Sequence, residues 1–181
     1  ILGLLVITSI ILAIIPDSIN TTMKNSELFA VQDTSRIDQI VIKSSDQTVE
    51  LRKENGNWTL NQTYKAEQNI VRVLLSILKD AEVVRNVPKS QASEISDYIN
   101  ENGSTIEIYS NGEIIQSFKS AGNDNKTLSY MMSIDEDNPM IVNIPGYESY
   151  VAGIFEIPVN DWRDRTILST NYRTLQKLDV S

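Results

Sequence analysis

Asp161-Trp162-Arg163-Asp164-Arg165 is the densest gathering of chemically capable side chains in the sequence. A tryptophan beside two arginines has the composition of an interface hot spot, in which an indole fills a pocket and guanidinium forks meet carboxylates. The same five residues also suit a structural role, with Trp162 closing a small core and the arginines pairing with neighbouring aspartates at ~0–1 kcal/mol per exposed pair. The structural role is the commoner use, and Trp162, Arg163 and Arg165 are the candidate interface residues. Asp135-Glu136-Asp137-Asn138 offers hard oxygen ligands of the kind Ca²⁺ takes. The turn glycine and distal glutamate of an EF-hand loop are missing at the required offsets, so a solvated turn is expected. Asn123-Asp124-Asn125, after Gly122, reads the same way.

Beyond these clusters the catalytic vocabulary is thin. The 181 residues contain no histidine and no cysteine, which removes the commonest general base, the thiolate nucleophile, zinc–sulfur sites and disulfides. The seven glycines are dispersed and form neither a Walker nor a dinucleotide-binding loop. With 16 Lys+Arg against 24 Asp+Glu, the net charge of −8 argues against a phosphate-binding surface, and no nucleic-acid partner is expected. A hydrolase using a carboxylate pair is the residual enzymatic reading, but 24 acids offer many accidental pairs and no pattern selects one. The expectation is a non-enzymatic protein without metal or cofactor.

Residues 1–15 carry no ionisable side chain, and as a helix they would cover ~22 Å of a hydrocarbon core ~30 Å thick. No small-residue cleavage site comes after them, because Ala13 leads into Ile14, Ile15 and Pro16. The reading is an uncleaved single-pass anchor whose first turns precede residue 1, in contact with the lipid bilayer. The region after it holds only Asp17 and Lys24 before Glu27, without the basic cluster of a cytoplasmic flank, which favours an extracytoplasmic body. Asp17-Ser18-Ile19 resembles a short O-glycosylation site of some periplasmic proteins of Bacteroidetes-type bacteria, making Ser18 the candidate acceptor.

The elements that must position these groups can be read from periodicity. Residues 16–35 read as a linker or stalk in which Phe29 and Val31 dock on the domain beyond it. From Ile37 the pattern has period two. Ile40 and Ile42, then Val49 and Leu51, then Trp58 and Leu60, predict three antiparallel strands, the last two joined by an Asn55-Gly56 turn. Residues 66–81 have helical spacing, with Ile70, Val73, Leu74, Ile77, Leu78 and Ala81 on one stripe. A strand over 82–87 ends at Pro88, and a second helix over 90–100 turns Ile95 and Ile99 inward and stops at Asn102-Gly103. A second hairpin, 105–109 and 113–119, turns at Asn111-Gly112, and strands over 127–134 and 140–144 flank the acidic turn. Residues 146–157 read as helical or irregular and 161–168 as a short amphipathic segment, and 172–180 begin a further strand. The hairpin–helix order occurs twice in outline.

The ordered set Leu28-Phe29-Ala30-Val31-Gln32-Asp33-Thr34, Ile37, Ile40-Val41-Ile42, Val49-Glu50-Leu51-Arg52, Trp58, Tyr64-Lys65-Ala66, Val87-Pro88-Lys89, Val142-Asn143-Ile144-Pro145-Gly146-Tyr147 and the 161–165 pentad resembles a known bacterial family. It is similar to the domain of unknown function 4340, found in single-pass inner-membrane proteins of the Bacteroidetes group. A related domain accompanies auxiliary subunits of ABC-type transporters linked to gliding motility. The resemblance covers about residues 29–168 and implies an inner-membrane location with the body in the periplasm, and it brings no catalytic residues. The family is often richer in glycine near Gly122, where this chain keeps one.

The combined expectation is an α+β domain of antiparallel strands with two covering helices, preceded by one transmembrane helix. The segments are an anchor at 1–15, a linker at 16–35, a periplasmic domain at 36–168 and the start of a further strand at 169–181. Its function would be that of an accessory or scaffold subunit of a bacterial inner-membrane complex, most naturally of transporter type, with integral inner-membrane proteins as partners. A periplasmic ligand- or glycan-binding module, or a subunit of a respiratory or secretion complex, are the alternatives.

Overall fold

The computed structural model describes residues 27–146 and 150–166. The apolar run 1–15, Ser18 and the segment 169–181 lie outside the described residues. Among those described, no helix is long and apolar enough to cross a membrane.

The fold is a mostly antiparallel sheet with a few helices. Among the described residues nine strands, β1 (Gln39–Lys43), β2 (Thr48–Glu54), β3 (Asn57–Leu60), β4 (Tyr64–Lys65), β5 (Glu82–Asn86), β6 (Ser104–Ser110), β7 (Glu113–Gly122), β8 (Ser129–Ser133) and β9 (Met140–Asn143), lie in the order β4-β3-β2-β1-β6-β7-β8-β9-β5. Two meanders, β1 to β4 and β6 to β9, thus run outward from the central β1–β6 pair. Both predicted Asn-Gly turns form, with φ of 50° and 83° at Asn55 and Gly56 and 55° and 81° at Asn111 and Gly112. These are the left-handed values a two-residue hairpin needs to match the strand twist.

Alternation along the strands divides the apolar residues between two faces. Ile40, Ile42, Leu51, Trp58, Ile106, Phe118, Met131 and Val142 point to one, under helix α1 (Gln68–Asp80) and the 3₁₀ turn Val151–Glu156. Ala121, Tyr130, Met132 and Ile141 point to the other and meet Ile99 of helix α2 (Lys89–Asn102). The larger core extends back into the linker: Phe29 is buried and packs edge-on against Phe118 at 5.6 Å, and Phe118 against Phe155 at 5.8 Å.

Two expectations need correction. Helix α1 begins at Gln68 rather than at residue 66, because Ala66 is engaged in a bridge to Arg163 and Glu67 caps the helix, its carboxylate accepting from the Asn69 N–H at 3.1 Å. Its buried face is Val71, Leu74, Ile77 and Leu78, whereas Val73 is 53% exposed. One wide apolar stripe contains both phases, and the sheet selects one of them. Residues 146–157, read as helical or irregular, hold a 3₁₀ turn at Val151–Glu156, whereas the short amphipathic segment expected from residue 161 is met by a 3₁₀ turn that already starts at Val159 and ends at Trp162.

Buried serines hold the first of these turns down. The Ser104 hydroxyl donates to the Phe155 carbonyl at 3.3 Å, and Ser129 Oγ accepts the Ala152 N–H at 2.9 Å. A polar group inside a core is tolerated when it is paired, and here each pairing seats a backbone segment that lacks a ladder of its own.

Candidate functional site: a clasp, an open sheet face and an apolar groove

The pentad singled out by the sequence works as a clasp. Trp162 ends the second 3₁₀ turn and is 0% exposed, with its indole N–H donating to the Ile157 carbonyl at 3.3 Å. Its own carbonyl accepts the Glu67 N–H at 2.7 Å, so the tryptophan joins the start of α1 to the end of the described chain. Buried to this degree, the indole offers no surface to a partner. Arg163 lies 4.1 Å over the Tyr64 ring, and Asp164 takes the Lys65 ammonium at 2.8 Å. The Asp164 carboxyl is held well below the usual range, chiefly by that Lys65 bond and then by Thr166. Arg165 pairs with Asp161 one turn back. The arginines stay at the surface while the tryptophan does not, so the three candidate interface residues do not share one patch.

The acidic turn 135–138 is exposed, and Asp137 accepts from the Ser96 hydroxyl at 3.2 Å. The Asn123 side-chain oxygen is consumed by the N–H groups of Thr127 and Leu128, both at 2.8 Å, which closes the β7–β8 loop. Among the described residues no group of three or more acids could hold a metal ion.

Sequence reasoning did not foresee two surfaces. Helix α2 covers only the β7–β9 half of its sheet face. The other half, on β2, β1 and β6, carries Gln39, Lys43, Glu50, Arg52, Glu107 and Tyr109 in register. Glu107 receives Lys43 Nζ at 2.8 Å and the Tyr109 hydroxyl at 2.7 Å. Glu50 receives Gln62 and Arg52, each at 3.0 Å, and Gln39 Nε2 at 3.0 Å. Ile114, opposite Tyr109 and 55% exposed, together with Ile115, edges this flat polar field. The signal was present as polar residues alternating with Ile40, Ile42, Val49, Leu51, Ile106 and Ile108, but the field assembles only once β1 pairs with β6, 64 residues on from Lys43 to Glu107.

Both carboxylates sit below the ordinary glutamate range, Glu107 chiefly through the Lys43 bond and Glu50 chiefly through Gln62. A carboxylate with a lower pKa in the folded than in the unfolded chain stabilises the fold fully above the unfolded value, ~4.3, and loses that contribution as pH falls through the folded value. Urea-unfolding midpoints are therefore expected to decline below about pH 4. Glu107→Gln should make that decline shallower without abolishing it, since Glu50, Asp33 and Asp164 are shifted the same way.

The second surface is an open groove of about 850 Å³ along α1. Val73, Ile77, Ile144, Ile154 and Ile157 form its apolar lining, and Asn69, Arg72, Ser76 and Asp80 stand on α1. Tyr150 closes one side, its hydroxyl bonded to Glu156, which also takes Lys126 Nζ at 3.0 Å. Burial first and then the Glu156 bond push the phenol up. The ring occupies the space that a Cβ on Gly122 would need, so any larger residue there would collide with the Tyr150 hydroxyl. The single glycine kept in that stretch is thus the seat of the groove wall. Val73 stands outside the buried face of its helix and lines the groove instead.

No curated protein and no solved structure shows significant similarity to the chain. A family model, the domain of unknown function DUF4340, matches residues 58–181, from Trp58 in β3 through α1, strands β5 to β9 and the clasp. That match covers more than half of the sequence, and the chain belongs to the DUF4340 family.

Proposed function

We propose that the chain is a non-enzymatic accessory or scaffold subunit of a bacterial inner-membrane complex of transporter type, anchored through residues 1–15 with its body in the periplasm. The half of the sheet face that no described helix covers carries this reading. It is a flat polar field holding the ion pairs Lys43–Glu107 and Arg52–Glu50 and bordered by exposed Ile114 and Ile115, the profile of a polar docking face with an apolar edge. Its two carboxylates are each held ionised by neighbouring donors, which suits them to positioning and not to giving up a proton as a general acid. The uncharged run 1–15 supports the membrane tether, and the Bacteroidetes and gliding-type associations belong to the same proposal.

A photo-crosslinking residue placed at Ile114 in the full chain, in its native membrane, is expected to capture an integral membrane protein. Ile114→Glu should abolish copurification in detergent while leaving the unfolding midpoint unchanged. Recovery of the chain alone, as a monomer, with or without the substitution, would reject the reading. A binding module for an apolar ligand or glycan is the second reading, favoured by the concave lining of the groove along α1.

A further inference from the structure

The groove along α1 has a rim whose charges are unanswered. Arg72 bonds to the neutral side chain of Asn69, and among the described residues neither Arg72 nor Asp80 joins an ion pair. Asp80 is moreover the last residue of α1, where the helix dipole disfavours a carboxylate. A charge set against the local preference of its element points to a role outside that element. Arg72 and Asp80 are eight residues apart, ~12 Å along the helix, with Val73, Ser76 and Ile77 between them.

The described chain starts at one end of this groove. Glu27 lines a smaller hollow with Lys79, Asp80 and Ile144, and the last two also line the groove. Residues 28–31 are fixed there, since Val31 N–H donates to the Leu78 carbonyl at 2.8 Å and Phe29 is in the core. Glu27, the first described residue, therefore stands at the Asp80 end. Over 16–26 the only charged side chains are Asp17 and Lys24, and the only large apolar ones are Ile19 and Met23, spaced four apart.

We propose that residues 16–26 of this chain occupy the groove, running parallel to α1, with Lys24 at Asp80, Met23 and Ile19 over the apolar lining and Asp17 at Arg72. Asp17 and Lys24 are seven residues apart, ~11 Å as a helix and ~23 Å extended, so the segment spans the two rim charges with their signs reversed in order. Reversing the direction of the segment would set like charges together at both ends. Tethering supplies the rest of the affinity. A segment joined directly to the folded domain is presented at an effective concentration on the order of mM, enough to fill a site whose intrinsic Kd is ~0.1 mM. Seated there, the linker fixes the orientation of the domain, and with it the open sheet face, relative to whatever precedes residue 16.

The chain contains no cysteine, so engineered pairs can be read without background. In the purified full chain, Met23→Cys with Val73→Cys is compared with Met23→Cys with Val84→Cys. Val84 is as exposed as Val73 and lies two residues from Glu82, which shares the hollow of Glu27. The groove pair is expected to close an intramolecular disulfide about tenfold faster under mild oxidation, the advantage of a mM local site over free sampling. Lys24→Glu should erase the difference, and adding Asp80→Lys should restore it. Equal rates at Val73 and Val84, an intermolecular disulfide marking a second copy in the groove, or failure of the charge swap to restore the rate would overturn the proposal. The readout needs no membrane partner, so it succeeds or fails independently of the capture experiment at Ile114.

Discussion

Trp162→Ala is expected to cost about 3–5 kcal/mol of folding free energy, the usual penalty for removing a fully buried tryptophan. A domain of this size has about 5–15 kcal/mol in total, so the variant should be marginal or unfolded at 37 °C. Three losses combine at the site. The indole leaves a void in the larger core, the Ile157 carbonyl loses its donor, and the backbone joint between Trp162 and Glu67 loses the side chain that packs it in place. Urea unfolding followed by far-UV circular dichroism should show a lower midpoint with an unchanged slope, the mark of lost stability without a changed unfolded state. Arg163→Ala removes only an exposed cation–π contact of ~0.5–1 kcal/mol and provides the contrast within the same pentad. If Trp162 acted chiefly at an interface, both variants would fold normally and lose only a partner. A buried indole makes the opposite ordering the expected one.

The same pentad shows which information was local. Its composition was plain in the sequence, but composition could not say whether the indole faced inward. That depends on Ala66 pairing with Arg163, a contact between segments nearly a hundred residues apart. The two hairpins were legible because Asn-Gly stores its turn geometry in two adjacent residues, and the φ values at Asn55 and Asn111 reflect that chemistry. The helix over α1 was legible as a helix, yet its rotation was not. Val71 and Val73 are both apolar, and only the position of the sheet and of Ile144, Ile154 and Ile157 decides which is buried and which lines the groove. Strand order is the extreme case. Nothing in 82–86 announces that β5 leaves the first meander to pair with β9 at the far end of the second. Both candidate surfaces arise from such distant pairings, which is why the residues that compose them looked like ordinary solvent positions.

Gly103→Ala should be nearly as damaging as a core truncation, and for a reason the turn signal Asn102-Gly103 did not suggest. A glycine that stops a helix is commonly needed for a left-handed φ, but Gly103 has φ −78° and ψ 166°, which any residue adopts. What it lacks is room. A Cβ there would run into the Ile99 carbonyl oxygen and stand 2.9 Å from that of Ser120, both backbone atoms. Neither can rotate away, so α2 and β7 must separate at the point where Ser104 pairs with Ser120 and reaches the Phe155 carbonyl. Overpacking costs about 1–3 kcal/mol where side chains can adjust, and a clash against two backbones belongs at or above the upper end. Gly122→Ala tests that distinction, because the atoms nearest its added Cβ all belong to the far end of the Tyr150 side chain. It should cost less, and Tyr150→Ala should relieve it, so that the double variant is more stable than the sum of the single losses predicts. Gly103→Ala has no such partner to delete. Unfolding midpoints for the four variants settle whether these glycines serve conformational freedom or close approach. A penalty at Gly122 that persisted after Tyr150 was removed would point to the backbone instead.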